Sequence, residues 1–159
     1  MLGKRIVLVG KAGSGKDYAR IKLEKRSFRY AISYTTRPPR DTEKHGVDYF
    51  FITEEEFTQM IDQEKFYEYV VFNEWYYGTT NKQFYSDDVF IMTPHGISLI
   101  KLEDRQNSFI IFFDIDEDIR KERLMLRNDA DKVDRRLEAD RRDFENFTDY
   151  DLRITDPTF

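Results

Sequence analysis

The apolar run Ile6-Val7-Leu8-Val9 stops at Gly10 and leads directly into Lys11-Ala12-Gly13-Ser14-Gly15-Lys16, a junction that constrains the fold more than any other stretch. A short, mostly β-branched run ending at glycine reads as a buried strand meeting a turn. The spacing G-x-x-x-x-G-K between a strand and a helix builds a cradle for phosphates. Glycines let backbone N–H groups converge on phosphate oxygens, the helix N-terminus adds a favourable dipole, and Lys16 adds a mobile point charge. Gly10, Ala12, Gly13, Ser14, Gly15, Lys16 and Asp17 are therefore the candidate contacts to the phosphates of a nucleotide such as ATP. The position after the lysine ordinarily carries a Ser or Thr hydroxyl for Mg²⁺. Here it is Asp17, which has two readings: a carboxylate ligand to Mg²⁺, or an acidic residue placed in the first helical turn by the dipole.

With 159 residues the chain suits one domain, and its net charge of −5 with 36% charged residues argues against a duplex-coating role and hence against nucleic acid as a partner. A local basic cleft for a small anion stays compatible with that balance. The absence of cysteine excludes disulfides, thiolate zinc sites and a cysteine nucleophile. The opening MLGKRIVLVG holds only a four-residue apolar run, so neither a signal-peptide core, a membrane span nor a membrane partner is expected. The expectation is a cytoplasmic protein, or one of a host cytosol if the source is viral.

Along the chain, Lys16 to Lys25 has poor amphipathicity, and a helix is expected there because of the preceding loop. Residues 30–82 form a distinct, aromatic-rich stretch with Pro38-Pro39 and an alternating run from Asp48 to Ile52 that reads as a strand. Within it, Thr53 and Glu56 make a capping-box pattern, predicting a helix over 54–62 with Phe57 and Ile61 inward. Val89 to Met92 and Ser108 to Phe113 read as further buried strands. Asp116 is placed to cap a helix with acids in its first turn and Arg123 and Arg127 towards its end. A charged helix follows over 132–144, and a last short strand over 151–155. Strands alternating with helices imply a parallel sheet. His45 and His95 share no metal-ligand spacing with other residues and are assigned no metal.

Ser33-Tyr34-Thr35-Thr36-Arg37-Pro38-Pro39-Arg40 sets two guanidinium groups three residues apart on a proline-stiffened segment, suited to gripping one phosphate. A nucleoside monophosphate fits such a grip. With the phosphate loop, Gly46-Val47-Asp48-Tyr49-Phe50-Phe51, Phe66-Tyr67-Glu68 and Tyr77-Gly78-Thr79 in the same order, the sequence resembles the guanylate kinase family. The resemblance implies an α/β, P-loop NTPase-like three-layer fold. It has a parallel-sheet core (about 1–29, 83–121 and 145–159), an inserted mixed α/β lobe for GMP (about 30–82) and a helical lid (about 122–144). It further implies that Arg37, Arg40, Tyr49 and Tyr77 hold the acceptor phosphate, and that Ser33, Glu68 and Thr79 read the guanine edge. Lys16 and the arginines Arg123, Arg127 and Arg136 would surround the transferred phosphoryl. Guanine suits those residue types, because a carboxylate accepts from N1–H and N2–H₂ while a hydroxyl donates to O6.

The likeness breaks at Ile91-Met92-Thr93-Pro94-His95-Gly96, where the family usually carries two acids on the strand end; Thr93 keeps one hydroxyl and no charge. Together with Asp17, this suggests a carboxylate moved from the strand end to the loop. The expected reaction is transfer of the ATP γ-phosphoryl, with Mg²⁺, to GMP or dGMP, giving GDP or dGDP. Two alternatives stand beside it: a catalytically silent module of the same fold that binds protein, and a deoxynucleoside monophosphate kinase with another base preference.

Overall fold

The computed structural model describes residues 4–127 and 132–159. Residues 1–3, at the start of the expected core, and 128–131, inside the expected lid, lie outside the described residues. In chain order the elements open with β1 (Arg5–Gly10) and α1 (Lys16–Glu24), then β2 (Tyr34–Thr35), β3 (Phe50–Phe51), α2 (Glu54–Asp62), β4 (Phe66–Phe72) and β5 (Trp75–Thr80). The chain continues through α3 (Asn81–Ser86), β6 (Val89–Ile91), α4 (Pro94–Ser98), α5 (Leu102–Arg105) and β7 (Ser108–Phe113). It closes with α6 (Glu117–Met125), α7 (Val133–Phe144) and β8 (Leu152–Ile154).

One sheet is wholly parallel, in the order β6-β1-β7-β8. Because side chains alternate along a strand, β1 sends Val7 and Val9 to one face and Ile6 and Leu8 to the other. Val7 and Val9 pack with Phe84, Ile97, Ile110, Phe112 and Phe144, so α3, α4 and the end of α7 cover that face. Ile6 and Leu8 pack with Ala19 and Leu23 of α1, with Ile111 and Phe113, and with Phe159. Both faces are thus sealed by apolar contacts, which is why β1 and β7 read as unbroken apolar runs.

The second sheet, β3-β2-β5-β4, is mixed: β2 pairs in parallel with β3, and β5 lies antiparallel to both β2 and β4. The expected strand over 48–52 is shorter than the alternation suggested. Only Phe50 and Phe51 pair with β2, because the chain before them turns on Gly46 and is held by Asp48, whose carboxylate accepts the Lys44 N–H at 2.8 Å. Helix α2 forms where expected, with both halves of the Thr53/Glu56 capping box made and Phe57 fully buried, whereas Ile61 is half-buried. The β4–β5 hairpin turns through Asn73 and Glu74, both at positive φ (51° and 72°). That two-residue geometry favours Asn followed by Gly. Glu74→Gly is therefore expected to stabilise the protein by about 0.5–1 kcal/mol, read as a higher denaturant midpoint at unchanged slope.

The phosphate loop bridges β1 and α1 on the terms its glycines allow. A Cβ on Gly10 would lie 2.5 Å from Ser14 Oγ and 2.9 Å from the Phe113 carbonyl, and Gly15 sits at φ +95° as the residue preceding α1. No capping side chain occupies the first N–H groups of α1, which is the arrangement an anion-binding helix N-terminus requires.

Candidate active site

A cleft of about 270 Å³ opens between the end of the parallel sheet and the mixed sheet. Its floor is the phosphate loop, lined by Gly10, Ala12, Gly13, Ser14, Gly15, Lys16 and Asp17. Lys16 Nζ donates to the Gly10 carbonyl at 2.5 Å, folded back onto its own loop. Burial pushes its ammonium below the ordinary lysine range, and the nearby cations Arg136 and Arg127 push the same way, while Asp140 and Asp17 hold it up. Three cations therefore gather where a triphosphate would end. A local positive field of this kind is compatible with a net acidic chain.

The opposite wall comes from the mixed sheet. Thr35 Oγ1 donates to the Tyr76 carbonyl at 2.8 Å and accepts the Arg37 N–H at 3.1 Å, while Thr36 Oγ1 accepts the Tyr76 N–H at 2.9 Å. The paired threonines thereby anchor the segment to β5 and fix where Arg37 leaves the sheet. Its guanidinium meets Glu43 through two parallel bonds of 2.8 and 2.9 Å, and Glu43 also accepts the Arg40 N–H at 2.8 Å. Burial alone would lower the Arg37 pKa, but the Glu43 pair outweighs it and the net direction is upward; burial likewise opposes the Glu43 charge, yet Arg37 keeps it below the usual carboxylate range. Tyr49 lies under Arg37 at 5.4 Å and its ring meets Tyr77 at 6.0 Å. Burial pushes the Tyr49 phenol up, so it stands as a neutral O–H donor.

Deeper in the cleft Glu68, on β4, is 7% exposed although its neighbour Tyr69 faces solvent. Burial raises its carboxyl to about 7 against the hydrogen bonds from Thr79 that favour its charge. Room for it exists because residue 96 is glycine: a Cβ there would stand 3.2 Å from Glu68 Oε2. Ser33 is also buried and lines the same space. Thr93 caps α4, its hydroxyl oxygen accepting the Gly96 N–H at 3.0 Å, and it lines the cleft.

The cleft thus unites Arg37, Arg40, Tyr49, Tyr77, Ser33, Glu68 and Thr93 with the phosphate loop, Arg127 and Arg136. Two expected contacts stand elsewhere. Thr79 lies behind Glu68 as its hydrogen-bond partner and does not line the cleft. Arg123 donates to the Gly13 and Pro157 carbonyls at 3.0 and 2.9 Å, beside a second cavity edged by Tyr18 and Phe159. Asp17 lines the main cleft with its side chain 68% exposed, 3.7 Å from Arg20. Among the described residues no three His, Cys, Asp or Glu side chains group as a metal cage. Glu43 and Asp140 escaped the sequence reading, since neither falls in a motif; a carboxylate six residues beyond Arg37 carries no periodic signal.

The family model described as guanylate kinase matches residues 2–159. The chain belongs to the guanylate kinase family. The guanylate kinase of Mycoplasma genitalium is 31% identical over 170 aligned positions, covering 99% of this chain and 70% of that protein. That of Bacteroides thetaiotaomicron is 44% identical over 86 residues, 52% of this chain, and the match spans only 42% of that relative's length. The guanylate kinase fold is seen again in the crystal structure from Anaplasma phagocytophilum, with a TM-score of 0.75 at 22% identity over 98% of this chain and 79% of that one. No helix among the described residues is long and apolar enough to cross a membrane.

Proposed function

We propose that this chain transfers the γ-phosphoryl group of ATP to GMP or dGMP, forming ADP and GDP or dGDP. The observation that carries the reading is the pairing, across one cleft, of the Lys16 loop with a phosphate grip (Arg37, Arg40, Tyr49, Tyr77) and a buried carboxylate, Glu68. The acceptor phosphate is anionic at neutral pH and attacks in line, so no general base is needed. Arg37, fixed on one edge by Glu43, holds the acceptor without a reorganisation step, and Lys16 exchanges its loop carbonyl for a donor phosphate oxygen. Arg127 and Arg136 neutralise charge on the transferring group.

Mg²⁺ would arrive with ATP, held chiefly by phosphates and water, and supply charge neutralisation there. Asp17 is the residue to complete its shell. Its exposed carboxylate, one position after Lys16 and only loosely paired, fits that role, and the chain offers no cage of its own among the described residues. Weakening of activity by Asp17→Asn that extra Mg²⁺ restores would support the assignment; an unchanged Mg²⁺ dependence would leave Asp17 a first-turn acid.

Removing Glu43 tests the phosphate grip. With its bidentate partner gone, Arg37 loses orientation, and Glu43→Ala is expected to raise the GMP KM about tenfold, the equivalent of one charge-assisted contact. Steady-state kinetics with GMP varied at saturating ATP reads it.

A second reading, a kinase with a different base preference, draws on Thr93, which stands uncharged where the family usually has an acid. Competition among ribo- and deoxynucleoside monophosphates decides it: GMP and dGMP failing to compete would favour the second reading.

A further inference from the structure

Helix α7 is tied to the phosphate loop by a carboxylate that no motif singles out. Asp140 is 5% exposed, and its Oδ2 accepts the Ala12 N–H at 2.9 Å. Arg120, itself 2% exposed, reaches the next peptide group, at the Ala12 carbonyl. Its Nη1 donates to the Ala12 carbonyl at 3.4 Å and lies 3.9 Å from Asp140, while its Nε donates to the Ile115 carbonyl at 2.9 Å. Both polar groups flanking Ala12 are thus held, one by α7 and one by α6. Arg136 lies one helical turn before Asp140 and therefore on the same side of α7, and it lines the cleft with Lys16.

A carboxylate in this setting is costly, since burial pushes its pKa up, and a buried ion pair adds little stability over an apolar pair of the same size. The contact with Ala12 gives that cost a use. The loop must present its N–H groups in one arrangement before a phosphate can be held, and the helix that carries Arg136 must sit in register with that loop.

We propose that Asp140 is a positioning residue for phosphoryl transfer: by accepting the Ala12 N–H it fixes the first arc of the phosphate loop and sets Arg136, one turn away, beside Lys16. Asp140 is also the strongest of the neighbours that sustain the Lys16 charge. The proposal rests on the kinase reading above, and its test separates the two.

Asp140→Ala removes the acceptor, whereas Asp140→Asn keeps an oxygen in its place without the charge. Asp140→Ala is expected to lower kcat by about 10–100-fold, the scale of a misplacement near 1 Å, with the GMP KM within twofold because the acceptor wall is on the other sheet. Asp140→Asn is expected to recover most of that loss. Amide hydrogen exchange at Ala12 in the nucleotide-free protein gives a readout independent of turnover: protection in the wild type and in Asp140→Asn, and its loss in Asp140→Ala. Wild-type kcat in Asp140→Ala, an equal fall in both variants, or Ala12 exchange indifferent to residue 140 would each overturn the proposal. If the wild type turns over no nucleoside monophosphate while Ala12 exchange still follows residue 140, the kinase reading fails and the tie between α7 and the loop stands.

Discussion

Lys16→Met is expected to reduce ADP formation with ATP and GMP by at least about 10²–10³-fold, the scale seen when one preorganised charge donor is removed from a transition state. The side chain is the cation of the loop; it donates to the Gly10 carbonyl at 2.5 Å, and burial opposes its charge. Its charge is therefore most useful when a phosphate replaces that carbonyl. On the proposed function GMP is held by the other wall, through Arg37, Arg40, Tyr49 and Tyr77, so calorimetric GMP affinity should stay within about threefold, a change of about 0.65 kcal/mol. A variant that loses both would point to collapse of the cleft instead.

Glu68→Gln is expected to separate stability from function. In the folded protein the Glu68 carboxyl is raised to about 7 by burial, above its ordinary value of 4.5. An acid with a raised folded pKa binds an extra proton in the folded state between those two values. Its stabilising share is present below about 4.5 and is lost as pH rises through 7. At pH 8 the wild type therefore carries a buried charge that the Thr79 hydrogen bonds only partly offset, and Glu68→Gln should be more stable there by about 1–3 kcal/mol, with the difference shrinking towards pH 5. The opposite holds for the acceptor. Guanine offers N1–H and N2–H₂, which only the ionised carboxylate accepts together, so the wild-type GMP KM should rise as pH falls below 7. Glu68→Gln should lose GMP kcat/KM by about 10² or more, because an amide donor then faces guanine donors. Chemical denaturation at pH 5 and 8, paired with GMP kinetics on the same protein, measures both signs; a variant that is less stable at pH 8 would contradict the assignment of Glu68 as a desolvated carboxylate.

The strand, loop and helix around Lys16 were legible because glycines and lysine at fixed spacing have few alternatives. The same holds for α2, where Thr53 and Glu56 form a reciprocal cap that needs no tertiary partner. Elements set by tertiary contact were less visible. β2 and β3 are two residues each and exist only through their partner strands. α3 begins with a Thr80/Gln83 capping box that follows directly on a strand, and its short length gives no periodicity to read. In the site, Arg37 and Glu68 were found through joint motif spacing, although Glu68 between two tyrosines looks like an outward strand position. Burial along β4 alternates from Glu68 onward, with Glu68 and Val70 buried and Tyr69 and Val71 exposed, so Glu68 shares the inward face with Val70. Arg120 sits in the charged helix α6 yet is buried among backbone carbonyls, and Glu43 and Asp140 act on Arg37 and Ala12 from positions with no sequence relation to them. Such supporting carboxylates are set by folding geometry alone.

On the proposed function the two walls of this cleft serve one phosphoryl transfer. Coupled detection of ADP with ATP, Mg²⁺ and a panel of ribo- and deoxynucleoside monophosphates tests it most directly, with Lys16→Met alongside. Turnover with GMP or dGMP well above the other acceptors, and its loss in the variant, is expected. Silence across the whole panel, or turnover that does not depend on Lys16, would contradict it.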